Sequence, residues 1–332
     1  SELEYRGQHC FLVAAEKHDP CYLFTEDGER IATVWEEPGG VMTMVPLPGA
    51  GGAFLATHKF YSPNDSAEAK IVLAEPQADG SWTVRTLADV PFVHRFGILE
   101  RGGVRYLIAC CLKSGHAYKD DWSSPGGVFA AVLPDDLSGY GEENPLALTK
   151  LKDGMLKNHG YCLVREADYD TALVTCEQGV FQFVPPEAAG GDWEIRQLLD
   201  VAASDAVLCD FDGDGQPELG CMSPFHGERL EIYHLNGAGR YEKVWEYGEP
   251  CEFLHAIWAG RLQGAPAWIV GHRKGKRNTM LIRWTAENGY TAEVIDTDVG
   301  AANVLHFVNR AGEDVIIAAN REIDEIAMYT FC

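Results

Sequence analysis

FVHRFGILERGGVRYLIACCLK, residues 92–113, is the stretch whose reading decides the fold. It starts with an apolar strand carrying a histidine, turns on Gly102-Gly103, runs through a second and more apolar strand, and closes on a lysine. Runs of β-branched and aromatic residues bounded by a glycine turn read as paired strands. The phrase returns as NHGYCLVREADYDTALVTCEQ (158–178), SDAVLCDFDGDGQPELGCMS (204–223), FLHAIWAGRLQGAPAWIVGHR (253–273) and ANVLHFVNRAGEDVIIAANR (302–321). A unit of ~40–50 residues made only of short strands is the sequence signature of a β-propeller.

Each phrase but the last continues into two more strands. GGVFAAVLP and LALTKL follow the first, GVFQFVPP and WEIRQLL the second, RLEIYHL and YEKVWEY the third, TMLIRW and YTAEVID the fourth. These alternate apolar and polar residues, as half-buried strands do. Two earlier units fit more loosely. Residues 41–90 give VMTMVPL, AFLATHKF, KIVLAEP and WTVRTLA, and residues 10–36 give CFLVAAEK, CYLFTEDG and RIATVWEE without a first strand. The last unit, 301–332, ends after EIAMYTFC without a fourth. The fold class is therefore all-β, a propeller of seven four-stranded antiparallel blades. Six is the alternative if the two ends share one blade. Residues 1–332 read as a single domain whose termini close the ring, which removes exposed sheet edges.

The 332 residues are 46% hydrophobic, with 35 glycines and a formal net charge of −23. So acidic a surface argues against nucleic acid as a partner. No apolar run approaches the roughly 20 residues that span a bilayer. The first residues, SELEYRGQHCFLVAAEKHD, make a poor signal peptide. Ten cysteines occur, among them Cys110, Cys111, Cys162, Cys176, Cys209 and Cys221 inside strand phrases, and none forms a C-x-x-C pair. This usage predicts buried thiols in a reducing, cytoplasmic setting.

One loop stands out. Asp210-Phe-Asp212-Gly-Asp214-Gly-Gln216-Pro-Glu218 places oxygen donors at alternate positions, with glycine where the chain must turn. Ca²⁺ takes six to eight oxygens, and this spacing is that of a calcium loop. Asp210, Asp212, Asp214 and Glu218 are the candidate side-chain ligands and the Gln216 carbonyl a backbone one. The alternative is a glycine-rich hairpin with solvated acids. With the strand pattern of 92–321, this loop resembles the FG-GAP and VCBS repeat propellers, which implies a structural Ca²⁺ on the face away from the start of the first strand.

Aligning the phrases puts His94, His159, Asp205, His255 and Asn303 at equivalent positions, the first residues of the innermost strand; Met42 or Thr43 takes that place in 41–90. Second strands return to the same face, ending in Glu16-Lys17, His58-Lys59, Lys113, Glu177-Gln178, His272-Arg273 and Asn320-Arg321. Three histidines and an aspartate in register are a candidate site for a divalent transition metal such as Mn²⁺ or Zn²⁺, with His94, His159, His255 and Asp205 as ligands. A water-filled polar channel without metal is the rival reading. Long loops on the same face carry Tyr61, Tyr118 and Trp122, able to stack on a sugar ring. A basic run, Arg273, Lys274, Lys276 and Arg277, suits an anion. This histidine-lined face is similar to the propeller part of aldos-2-ulose dehydratase and of metal-dependent sugar lyases. The resemblance implies a lyase, dehydratase or isomerase acting on a small anionic carbohydrate. His58, His272, Glu177 and Asp205 are then the proton-transfer candidates, and Lys59, Lys113, Tyr118, Trp122, Arg273, Asn303 and Arg321 the substrate-binding ones. A non-catalytic module docking a protein or glycan on that face is the second reading.

Overall fold

The computed structural model describes residues 1–331. They form seven sheets, each built from consecutive strands, and one 3-10 turn at Arg321–Ile323. The first sheet holds β1 (Glu2–Tyr5), β2 (Gln8–Ala14), β3 (Cys21–Thr25) and β4 (Arg30–Trp35). The second holds β5 (Met44–Pro46), β6 (Phe54–His58), β7 (Lys70–Pro76) and β8 (Trp82–Asp89). The third holds β9 (Val93–Arg101), β10 (Val104–Lys113), β11 (Pro125–Val132) and β12 (Thr149–Met155). The fourth holds β13 (Gly160–Arg165), β14 (Asp170–Cys176), β15 (Gly179–Val184) and β16 (Glu194–Leu199). The fifth holds β17 (Asp205–Cys209), β18 (Glu218–Ser223), β19 (Arg229–Leu235) and β20 (Tyr241–Glu246). The sixth holds β21 (Leu254–Leu262), β22 (Ala265–His272), β23 (Thr279–Thr285) and β24 (Gly289–Asp296), and the seventh β25 (Ala301–Val308), β26 (Asp314–Asn320) and β27 (Glu325–Phe331). This is a seven-bladed propeller of antiparallel blades, as the repeat predicts.

The count settles on seven because both ends of the chain build their own sheet. β1, absent from the sequence reading, supplies the first strand of the first blade and pairs with β2 from Glu2–Phe11 to Tyr5–Gln8. It is only four residues long and buries alternate side chains, Leu3 and Tyr5, so its sequence carries little signal. The fourth strand of the third blade also differs. LALTKL was expected; the strand is Thr149–Met155, mostly exposed. An outer strand has one face in water, so polar residues sit there at no cost and blur its ends.

Middle strands behave oppositely. β10, β14, β18 and β22 are buried almost throughout, because neighbouring sheets cover both faces. That explains their unbroken apolar runs, where each buried Leu, Ile or Val contributes roughly 1.5–3 kcal/mol.

The chain divides into two compact units, Ser1–Ala172 with Val184–Glu194, and Leu173–Phe183 with Ile195–Cys332. In the first, Leu12, Leu23, Phe54, Ala56 and Val72 form a core across the first two sheets, and β9 packs beside β13. In the second, Ala256, Ile269, Ala301, Val304 and Ile316 do the same for the sixth and seventh sheets, and β21 lies between β17 and β25. Within each unit these first strands run side by side, which brings their starting residues together. The nine described cysteines are all free thiols. Burial pushes Cys111 up to about 12 and Cys209 up to about 11, so they act as small hydrophobes.

Candidate functional site

The structure places the three histidines at equivalent positions: His94 is the second residue of β9, His159 immediately precedes β13 and His255 is second in β21, while Asp205 opens β17. Asn303 is displaced by one residue: Ala302 falls opposite the same bulge as His94 and His255, which leaves Asn303 one step further along β25 and exposed. His94, His159, Asp205 and His255 are buried. In three blades the side chain at this position ties its strand to the next blade. Thr43 Oγ1 donates to the His94 carbonyl at 3.3 Å, His94 Nδ1 to the His159 carbonyl at 3.0 Å, and His255 Nδ1 to the Ala302 carbonyl at 2.7 Å. A carbonyl only accepts, so both imidazoles carry a proton on Nδ1. The rings of His94 and His159 lie 4.2 Å apart, tilted by 33°, with Phe60 edge-on to His94 at 5.0 Å. Asn303 instead turns its side-chain oxygen to its neighbour, the Val304 amide, at 3.0 Å. The Ser204 hydroxyl lies 3.4 Å from Asp205.

In the second unit His255 stacks in a row with Phe253 and His226, the two imidazoles 5.5 Å apart. His226, passed over in the sequence, has a left-handed backbone (φ 47) in the turn after β18. It borders a cleft of about 370 Å³ with Pro224, Glu228, Glu252, Phe253 and Lys274.

Second-strand ends are more constrained than their composition suggests. His58 is buried, with Nε2 receiving no hydrogen bond, and its ring meets Trp35 at 4.6 Å. Burial, then Lys70 and Lys59, pushes its pKa down to about 4. His272 has both nitrogens engaged. Nδ1 donates to the Lys274 carbonyl at 2.9 Å, and Nε2 accepts from the Asn278 amide at 3.1 Å. Burial lowers its pKa despite those bonds. Glu177 follows β14 and is half-buried. The basic run meets carboxylates from distant sequence: Arg273 reaches Glu322 at 2.9 Å, Lys276 pairs with Glu249 and Arg277 with Asp298, while Arg321 contacts its chain neighbour Glu322 at 3.1 Å. Lys59 pairs with Glu68 at 2.9 Å.

Lys113 is fully enclosed. Its ammonium donates to Asn64 Oδ1 at 3.0 Å and to the Asp121 carbonyl at 2.8 Å, and sits 4.2 Å above the Trp122 ring. Tyr118, on the same β10–β11 loop, is 68% exposed. Beside this loop a cleft of about 610 Å³ is lined by Phe92, Lys113, Ser114, Phe129, Lys150 and Asp153.

The acidic loop joins β17 to β18, as expected. Asp210 accepts from the amides of Gly213 at 2.8 Å and Gly215 at 3.1 Å, both glycines being left-handed (φ 79 and 88). The Gln216 amide donates to Asp214 Oδ1 at 2.7 Å, and the Phe211 amide to Glu218 Oε2 at 2.7 Å. Asp212, Asp214 and Glu218 converge with a residue the sequence reading did not include, His234 near the end of β19. One ligand atom from each of the four lies within 4.8 Å of the others. The molecule thus has a residue group able to hold a metal. Burial, opposed by the Phe211 amide and reinforced by Asp212, raises the Glu218 pKa to about 7.

No protein-family model matches the chain, and no curated protein matches it. Solved structures do. The periplasmic gluconolactonase of Pseudomonas aeruginosa shares 12% identity over 100% of this chain and 93% of its own, with a TM-score of 0.61. A candidate 6-phosphogluconolactonase from Bacteroides fragilis shares 12% over 100% and 91%, at 0.60. The BBS1N domain, solved in complex with ARL6DN, shares 12% over 98% and 88%, at 0.58. Identities this low show a common propeller fold and nothing finer.

Proposed function

We propose that the protein is an enzyme acting on a small sugar acid or sugar lactone, bound over the starts of β9 and β13. The contact between the buried imidazoles of His94 and His159 carries this reading. With Nδ1 of His94 committed to a carbonyl, catalysis there falls to Nε2. Such a nitrogen removes a proton beside a carboxylate, as in a lyase, dehydratase or isomerase, or takes one from water attacking a lactone carbonyl. Imidazole nitrogens also suit Mn²⁺ or Zn²⁺, which when bound would polarise the substrate carbonyl. Tyr118 and Trp122 supply the aromatic wall, and the FG-GAP/VCBS resemblance rests on the strand pattern of 92–321 and on the acidic loop. Gluconolactonases among the structural neighbours support the substrate class.

The second reading, a docking module, is favoured by the exposure of Tyr118 and by a neighbour solved with a bound partner. The test is turnover of an aldonolactone and aldonate panel, by acid release and by 2-keto-3-deoxy acid formation, with and without Mn²⁺ or Zn²⁺. Activity in the parent and its loss in His94→Asn and His159→Asn is expected. No turnover across the panel, with every variant equal to the parent, sinks the enzyme reading.

A further inference from the structure

The acidic loop carries an inference that departs from the calcium site its spacing implies. Calcium takes oxygen ligands only, six to eight of them at 2.3–2.6 Å. Here the fourth corner of the cluster is an imidazole. His234 Nδ1 donates to the Leu235 carbonyl at 2.9 Å, which fixes the ring and turns Nε2 toward three carboxylates. Nε2 donates to Asp214 Oδ2 at 3.0 Å and lies 3.4 Å from Glu218 and 3.9 Å from Asp212. Ligands about 2.1 Å from a tetrahedral ion stand roughly 3.4 Å apart, so an ion taking the place of the Nε2 proton fits these three separations, and all four ligand atoms lie within 4.8 Å of one another. Asp210, by contrast, has both oxygens engaged by loop amides.

An acidic hairpin alone would make no site, since solvated carboxylates need nothing between them. Glu218 is different. It is 0% exposed, and its Oε1, facing the imidazole, receives no hydrogen bond. A buried carboxylate oxygen without a donor is costly, and a cation at the centre of the cluster removes that cost.

We propose that Asp212, Asp214, Glu218 and His234 form a binding site for one borderline divalent transition ion of the zinc class, selected over Ca²⁺ by the His234 imidazole. One nitrogen and three carboxylate oxygens are a four-coordinate donor set of that class. Three elements of one blade, the β17–β18 loop, β18 and β19, are thereby clamped together. The role is structural and independent of the sugar-directed reading.

The experiment uses the full chain, stripped with chelator and checked for folding by circular dichroism. Zinc, manganese and calcium are titrated while melting temperature and bound metal per chain are followed. Zinc is expected to raise the melting temperature at lower concentration than calcium. His234→Ala should bind one equivalent of zinc less than the parent, or hold it more than about a hundredfold more weakly, beyond what loss of an outer-shell partner costs. His234→Asp, an all-oxygen set, should reverse the preference toward calcium. His234 is partly exposed, so these variants avoid the core disruption that Glu218→Gln risks. The proposal is overturned if calcium stabilises the parent at equal or lower concentration than zinc. It is equally overturned if no metal changes the melting temperature, or if His234→Ala retains the parent's zinc stoichiometry and affinity.

Discussion

The Nδ1–H of His94 donates to the main-chain carbonyl of His159 at 3.0 Å, joining the first strand of one blade to the start of the next. Thr43 to His94 and His255 to Ala302 repeat the contact at equivalent positions. Histidine at this position therefore has a packing task as well as any chemical one, and the two are separable. Asparagine places an amide donor where Nδ1 stands and has no counterpart of Nε2. His94→Ala should lose about 1–3 kcal/mol, the cost of a buried carbonyl left without a donor. His94→Asn should keep most of that stability in urea titrations. Equal losses in both would mean that the bond contributes nothing.

A second prediction concerns acid. His58 is neutral in the folded protein because burial, then Lys70 and Lys59, push its pKa down to about 4. Lys70 itself faces Asp89 and Glu142 at 3.5 and 3.2 Å. In the unfolded chain the value returns to the ordinary histidine range near 6.5. Between those values the unfolded state binds more protons, so stability falls as pH falls. The contribution is complete above about 6.5 and lost on passing through about 4, amounting to roughly 3 kcal/mol. Unfolding titrations from pH 7 to pH 4 should show a shallower acid decline in His58→Phe than in the parent. Identical slopes would exclude His58 as the source.

The blades were legible because their middle strands are buried on both faces, as in VRYLIACCLK and APAWIVGH, and because glycine turns separate them. What failed to show lies where burial is weak or partners are distant. β1 offers only Leu3 and Tyr5 as signal. His234 reads as an ordinary residue of RLEIYHL. It meets Glu218 only because Leu219 pairs with Tyr233, one position further along the ladder. The basic run looked like an anion clamp since its counter-charges, Glu249, Asp298 and Glu322, are 21 to 49 residues away. Position on a strand was readable, whereas partnership across strands requires the register.

Lys113 yields a third prediction. Its ammonium, buried under the β10–β11 loop, holds Asn64 and the Asp121 carbonyl and lies against Trp122. The Asp121 carboxylate in turn accepts from the amides of Ala117 and Ser123, both at 2.9 Å, bonds that hold its pKa down to about 2. The lysine thus anchors a loop that presents Tyr118 to solvent. Lys113→Met keeps the stem and removes the donors. It should cost about 1–3 kcal/mol and expose Lys119 to faster tryptic cleavage. Unchanged cleavage and stability would mean that the loop stands without it.

The last prediction tests how closely the inner strands approach. Gly97 in β9 faces Tyr161 in β13 so tightly that a Cβ at position 97 would lie 1.8 Å from the phenol oxygen and 2.2 Å from Cζ. The ring therefore occupies the space that any side chain would need. Its hydroxyl is sealed and receives no hydrogen bond, and burial raises its pKa well above the usual tyrosine range. Two substitutions separate these effects. Tyr161→Phe removes only the unpartnered hydroxyl, so stability should hold or rise by about 1 kcal/mol. Gly97→Ala must displace the ring and should cost about 1–3 kcal/mol. In Tyr161→Ala that ring is absent, and the added methyl should then be harmless. A double-mutant cycle between Gly97→Ala and Tyr161→Ala is expected to show coupling above about 1 kcal/mol, since the residues touch. Additive losses would show that the strands yield around the new methyl, and that the glycine is not what permits this packing.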